Sequence, residues 1–504
     1  MMMAQNTTDG KLKKLTDSAA ELFQYAKQAA EEGKPVHEVE GEIWERVLQM
    51  GREALGQFLT HQGTGDLGET WAMPDEHEVK RLEALHPRGY QSIFGEFQIL
   101  RTVYGTREGQ KIEFVPLDAR LQLPESEFSY VLQDWAQVLD VEHAYGRTAE
   151  VLQRILKIDV TVDSLERMNR EMAESVAGFR ASRPAPKAKE EGKILVATAD
   201  GKGVPMRRPA DQLPAGCRRK KGEKANKKQM ATVGCVYTVN AKIRTPEEVV
   251  EALFRERRSP DRKDQPEPVA QQKRVWSSLS CEREGQLCSG EESVFAWMAE
   301  EVKRRQRANQ TLVCLMDGQP SLWTARKAYL AGTSVVEVLD LLHVTPRLWD
   351  AAYLFHSEGS DEAAAFVRNR LLRVLRGEAG YVIGGLRQMG TKHRLRGPKL
   401  AKLRSICSYL EKNLSRMRYD KYLAAGYPIA SGVIEGACRY VVKDRMERAG
   451  MRWTVEGAQA MLDLRTTYIN DQWADFQAYR IEQERQRLYP QHESLTQVTW
   501  PMAA

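Results

Sequence analysis

The apolar positions of this chain change period along its length, and the changes divide it. Over residues 10–62 they recur at helical spacing: Leu15, Ala19, Leu22, Phe23 and Ala26, then, past a stop at Gly33-Lys34-Pro35, Ile43, Trp44, Val47, Leu48, Leu55, Phe58 and Leu59. Such stripes predict two amphipathic helices that pack against a core or a second copy. Residues 90–106, YQSIFGEFQILRTVYGT, alternate and carry β-branched and aromatic side chains, which predicts a small sheet. Three helices follow near 126–138, 143–156 and 161–178, the last opening on the N-capping run Thr161-Val162-Asp163-Ser164. Short helices with tight turns suit either a helix-turn-helix or an ordinary bundle. Residues 181–192 lose all periodicity and read as a linker.

Beyond the linker the period becomes that of buried strands. Ile194–Ala199 predicts a strand ending on Asp200, with Gly201-Lys202-Gly203 as a turn before a second strand. Gln229–Ala241 is a third strand, and Thr245-Pro246-Glu247-Glu248 opens a helix. Residues 259–273 read as a polar loop, and 290–307 as a helix. Leu312–Met316 is a strand ending on Asp317, again followed by Gly. A helix over 321–330 and a strand over 334–339 lead into Asp340 and His343. Residues 345–430 are all-helical, and a further helix from Gly432 to Arg448 carries Glu435 among small neighbours.

An acid at the end of a buried strand is costly unless paired or bound to a metal. Asp200, Asp317 and Glu435 therefore stand out as three carboxylates able to converge at one sheet edge. Glu435 has a plainer reading, an ion pair with Arg439 one turn on, with Lys443 along the same face. Hard cations such as Mg²⁺ take oxygen ligands and leave positions for phosphate oxygens. No G-x-S-x-G or G-x-x-x-x-G-K-[ST] is present, so a serine hydrolase and nucleotide use are not indicated.

Charge sharpens the picture by its distribution. The chain has 504 residues, enough for roughly three or four domains, and a net charge of +6. Residues 207–230 alone hold nine Lys or Arg against two acids, among them Arg218, Arg219, Lys220, Lys221, Lys227 and Lys228. Between Phe366 and Lys421 there are fifteen against three, including Arg394 and Arg396. Basic segments of this kind predict a nucleic-acid partner. Seven thinly spread cysteines without a C-x-x-C pair indicate neither a disulfide framework nor a zinc knuckle. No apolar run approaches the roughly 18 residues of a membrane helix, and no signal peptide is visible, so a cytoplasmic location is expected.

Four stretches carry a specific resemblance: TADGKG around Asp200, CLMDGQPSLW around Asp317, VLDLLHVTPRLW around Asp340 and His343, and SGVIEGACRYVVKDRMERAGMRW around Glu435. Together they resemble DDE-type transposases of bacterial insertion sequences, of the ISKra-type group related to the Mutator-like transposases, over about residues 90–485. The resemblance implies an α/β catalytic core, an RNase H-like mixed sheet flanked by helices, with an all-α insertion and a mostly α-helical N-terminal region. Read with the periodicity, the chain divides into N-terminal helices over 1–89 for dimerisation or DNA binding, a small β element and helix-turn-helix-like DNA-binding region over 90–180, and the linker 181–192. The core then spans 193–344, the basic insertion 345–430, the last core helices 431–485, and a tail 486–504. Asp200, Asp317 and Glu435 would hold two Mg²⁺ or Mn²⁺ ions. Asp340 and His343 match a D-x-x-H motif near the active site, where His343 contacts a phosphate or base or serves as a structural histidine. Trp453 either stacks on a flipped base or packs in the core. The implied partners are double-stranded DNA, as element ends and target, and a second copy of the chain, in a bacterial cytoplasm at the nucleoid. A nuclease that cuts without joining, and a silent DNA-binding protein, are the rival readings.

Overall fold

The computed structural model describes residues 8–73, 77–106, 112–207, 228–255, 268–283, 286–308, 310–332, 335–448, 450–495 and 500. The chain forms two compact units, Met1–Ser175 with Trp473–Ala504, and Val176–Gln472. The last core segment expected over 431–485 thus divides at Gln472, and helix Trp473–Leu488 belongs with the N-terminal unit.

The N-terminal unit opens with the two expected helices, Thr8–Glu31 and Val36–His61, turned at Gly33 in the left-handed region. A hairpin pairs His86–Ser92 with Gly95–Arg101. Asp118 accepts ion pairs from Arg88 at 2.7 Å and from Arg101 at 2.5 Å beneath it. Helices Tyr130–Asp140, Tyr145–Leu156 and Val162–Glu174 pack around Leu132, Leu152, Leu156, Leu165 and Met168. The Ser129 and Thr161 side chains cap the first and third. On the third helix, Arg167 pairs with Glu127 and Glu171, and Arg170 with Glu166.

The second unit is mixed α/β, built on one five-stranded sheet. Its strands are β1 (Ile194–Pro205), β2 (Lys228–Val239), β3 (Gln271–Leu279), β4 (Leu312–Met316) and β5 (Val335–Leu339), in the spatial order β5-β4-β1-β2-β3. β1, β2 and β3 form an antiparallel meander, and β4 and β5 join parallel to β1 on its other side. Two elements differ from the expectation. Gly201-Lys202-Gly203 is not a turn: β1 runs straight through it, paired to β2 from Ile194↔Val239 to Pro205↔Lys228. A partner ladder along the whole length satisfies the backbone that the glycines would otherwise release into a turn. The polar loop of 259–273 overlaps β3, whose sequence QQKRVWSSL lacks apolar alternation at its start. β3 is an edge strand whose outer backbone is satisfied by side chains. Gln459 accepts from the Leu279 N–H (2.8 Å), and Asn470 bonds both the N–H and the carbonyl of Val275 (2.9 and 2.8 Å).

One face of the sheet carries α2 (Gly290–Arg305) and α3 (Pro320–Tyr329), after α1 (Pro246–Leu253) earlier in the chain. Their core joins Leu195, Ala197, Leu312, Cys314, Phe295 and Trp323. Next come α4 (Leu341–Ala352), α5 (Asp361–Leu375), α6 (Ala379–Lys392), α7 (Gly397–Lys412) and α8 (Tyr419–Ala424), the all-helical stretch foreseen over 345–430. α9 (Gly432–Cys438) then packs across β1 and β2, and α10 (Val455–Ile469) along β3. The expected linker 181–192 is tied down at its end. Glu191 is buried against Arg305 (2.7 Å) and also meets Arg307 (3.0 Å). The six described cysteines are free, and no described helix is long and apolar enough to cross a membrane.

Candidate functional site

The site follows from strand register. β4 pairs with only the first half of β1, Leu312↔Leu195 to Cys314↔Ala197. Carried three residues further, that register sets Asp317 level with Asp200. β5 pairs with β4 from Leu312↔Val335 to Met316↔Leu339, so the next residues, Asp317 and Asp340, are level as well. Three acids therefore stand in a row at one level of three adjacent parallel strands. They lie where β4 leaves β1 while β1 continues along β2. This is also where the sheet's connectivity reverses direction, the place at which α/β sheets bind ligands.

The carboxylates of this row are held from the backbone. The Gly201 N–H donates to Asp200 Oδ1 (2.7 Å), the Gln319 N–H to Asp317 Oδ1 (2.9 Å), and the Leu342 N–H to Asp340 Oδ1 (2.9 Å). The last bond is the N-cap of α4. Glu435 arrives from outside the sheet. Its helix begins at Ser431, whose hydroxyl lies 3.2 Å from that of Thr198, two residues before Asp200. The Leu341 N–H donates to the carbonyl of Ile429 (2.9 Å), which fastens the same segment to the start of α4. His343, in the first turn of α4, brings Nε2 to 4.0 Å from Glu435 Oε1. One ligand atom each from Asp340, His343 and Glu435 lie within 4.8 Å of one another.

Charge in the cluster is not balanced from within. Among the described residues no Lys or Arg is ion-paired to Asp200, Asp317, Asp340 or Glu435. Burial pushes the Asp317 carboxyl above the usual range; the Gln319 N–H and His343 pull it back, and the neighbouring Asp200 charge pushes it up further. Asp340, 2% exposed, is raised to about 6, first by burial, against the pull of the Leu342 N–H and His343. The Asp340, His343 and Glu435 ligand atoms, two carboxylates and one imidazole, are close enough to share one divalent cation, with Asp317 and Asp200 level with Asp340 on the adjoining strands. Cys438 Sγ lies 3.7 Å from Asp200 Oδ2, and burial together with that carboxylate raises its thiol.

The remaining sequence-predicted residues fall elsewhere. Trp453 is not free to stack on a base. It is 6% exposed, its indole N–H donates to the Met446 carbonyl (3.1 Å), and its backbone bridges to the end of β1 through Pro205. Arg439 does not pair with Glu435; it meets Asp444 at 3.4 Å, because Arg439–Lys443 forms a π turn that breaks the helical spacing. Lys443 is exposed. Arg218, Arg219, Lys220, Lys221 and Lys227 lie outside the described residues, and Lys228, at the start of β2, pairs with Glu447. Arg394 and Arg396 sit at the α6–α7 turn.

Two features escaped sequence reasoning. Asp340 reads there as part of a motif with His343, not as a third acid level with the other two. The signal was present: β4 and β5 are both five-residue strands, apolar but for Glu337 in β5, followed at once by Asp. Tyr409 gave no signal at all. Its ring covers Gly318, the residue after Asp317, and its hydroxyl takes a hydrogen bond from the Gly318 backbone. Arg347 in α4 sits 4.8 Å from the centre of that ring. Compared with known protein families and with curated proteins, the chain matches neither a family model nor a curated protein.

Proposed function

We propose that this protein is a metal-dependent DNA-processing enzyme, a DDE-type transposase that cleaves strands at the ends of its own element and joins them to a target. The observation that carries the reading is the row Asp200, Asp317 and Asp340 on adjacent strands, with Glu435 brought against it from α9. The antiparallel β1–β3 meander extended by parallel β4 and β5 supports an RNase H-like core. The fifteen-to-three excess of cations over 366–421 supports a phosphate-rich partner.

Asp200, Asp317 and Glu435 would hold two divalent ions of the Mg²⁺ or Mn²⁺ kind, with Asp340 and His343 beside them. Ions so held would supply positive charge to a phosphate and lower the barrier to attack by water or a 3′-hydroxyl. The chain's own part is positioning. The Gly201, Gln319 and Leu342 N–H groups orient three carboxylates before any ligand arrives, so their geometry costs little to assemble. His343 faces Glu435, with Nε2 4.0 Å from Oε1. A cut at two element ends calls for two copies acting together, so a dimer or larger assembly is part of the proposal.

The test is a cleavage and joining assay on labelled duplex DNA bearing the sequences that flank the coding region, with and without Mg²⁺. Metal-dependent nicking at the ends with joined product is the expected result. Cutting at branched DNA regardless of ends would favour a nuclease, and binding without cutting would sink the catalytic reading.

The Asp340 carboxyl makes a separate prediction. A carboxyl raised from 3.8 to about 6 favours the folded state below its ordinary range, and that stability is lost as pH rises through about 6. A cation must displace the proton, so its affinity should be full near neutral pH and fall by up to about tenfold per pH unit below about 6. Mg²⁺- or Mn²⁺-induced thermal stabilisation, titrated across that range, measures this. Asp340→Asn should flatten the profile, and an unchanged profile would remove Asp340 from the ion site.

A further inference from the structure

We propose that α7 is a rail for a single nucleic-acid strand, which it leads from the turn at Arg394 and Arg396 to Asp317. The inference rests on the nucleic-acid reading above and adds the path and the strandedness of the substrate.

Two clefts lie on adjoining faces of α7 and share Ser408. The outer one, about 600 Å³, runs between α6 and α7; Arg394, Arg396 and Arg404 line it over an apolar floor of Leu395, Leu400 and Leu403. The inner one, about 450 Å³, begins at Gly318, next to Asp317, and continues past Tyr409 to Lys327 and Lys412. Among the described residues no acid lines either cleft. Arg394, Arg396, Arg404, Lys327 and Lys412 are in no ion pair among the described residues, whereas Arg387 in the outer cleft is tied to Glu411 at 2.6 Å and Arg416 in the inner one to Glu337 at 2.7 Å. The free cations therefore follow the path, and the neutralised ones do not define it.

Volume selects the occupant. Clefts of about 600 and 450 Å³ hold a few nucleotides of one strand and are too small for the paired strands of a duplex. Apolar floor, aromatic ring and cationic rim are what bases and phosphates of one strand require. α7 has 16 residues, about 24 Å of helix. At about 3.4 Å per stacked nucleotide the rail accommodates roughly seven.

The experiment is fluorescence anisotropy of the full chain with labelled oligothymidylates of increasing length and a duplex of equal length. Affinity for single strands should climb to roughly seven nucleotides and then level. In Arg394→Glu/Arg396→Glu/Arg404→Glu it should fall at least about tenfold, and the slope of log affinity against log salt should shrink by about 2, from three lost contacts at about 0.7 each. Lys327→Gln/Lys412→Gln should weaken binding without a change in melting temperature, which separates lost contact from lost fold. Unchanged single-strand affinity and slope in folded variants would overturn the rail, as would duplex binding that single strands fail to compete. The two readings separate cleanly. A wild type that binds strands along α7 but cuts nothing sinks the catalytic proposal and leaves the rail. Groove variants that bind and cut like wild type sink the rail alone.

Discussion

Asp317→Asn is expected to abolish metal-dependent strand cleavage, by at least about a thousandfold or about 4 kcal/mol of transition-state stabilisation, while leaving the metal-free protein as stable as wild type or more so. Both halves follow from one arrangement. Asp317 is raised by burial and by the charge of Asp200 level with it on the next strand, and among the described residues no Lys or Arg is ion-paired to it. Its ionised form therefore costs stability at neutral pH, and that cost is absent only once pH drops low enough to protonate it. Asparagine removes the charge, keeps the shape, and can still accept the 2.9 Å bond from the Gln319 N–H. A purely structural acid would behave oppositely, because losing its partner would destabilise the fold. Thermal melting with and without Mg²⁺, beside the cleavage assay, reads both halves. A variant that melts lower and still cuts would remove Asp317 from the site.

Gly318→Ala should also be damaging, though less than Asp317→Asn, because of the one methyl group it adds. A Cβ at this position lies 2.7 Å from the Tyr409 hydroxyl oxygen and overlaps the ring itself. Either the ring moves, opening the inner cleft and freeing Arg347 from its stacked position, or the turn that carries Asp317 moves. Overpacking of this kind costs about 1–3 kcal/mol, and a misplacement of about 1 Å at a reacting centre costs roughly a hundredfold in rate. Cleavage should drop by about that factor with the protein still folded. Tyr409→Ala in the same background relieves the overlap and should recover part of the loss, so the double-mutant cycle shows coupling. Additive effects would mean that Gly318 does not exist to make room for Tyr409.

The strand β4 was legible because it is a fully buried apolar run closed by Asp, and β5 because its valines and leucine, broken only by Glu337, are also closed by Asp. The helices of the 345–430 region were legible for the same kind of reason, at helical period. β3 was not, because an edge strand whose backbone is satisfied by Gln459 and Asn470 needs no apolar alternation at its start. The glycines after Asp200 suggested a turn because a local reading cannot see that β2 pairs with β1 along its whole length. Trp453 was readable as either stacking surface or core, and the bridge from Pro205 decided for the core.

The sequence by itself singled out the residues proposed for the chemistry: Asp200, Asp317 and Glu435, each among small neighbours, and the cationic helices beyond them. These are local facts, since an acid beside glycine and an excess of cations over acids are visible without a fold. Only the tertiary structure decided that Asp340 stands level with Asp317 and that His343 faces Glu435. It also decided that Arg439 turns to Asp444 and that Tyr409 closes over Gly318. Strand register, a π turn and the packing of α7 set those relations, and each is fixed by contacts between segments far apart in the chain.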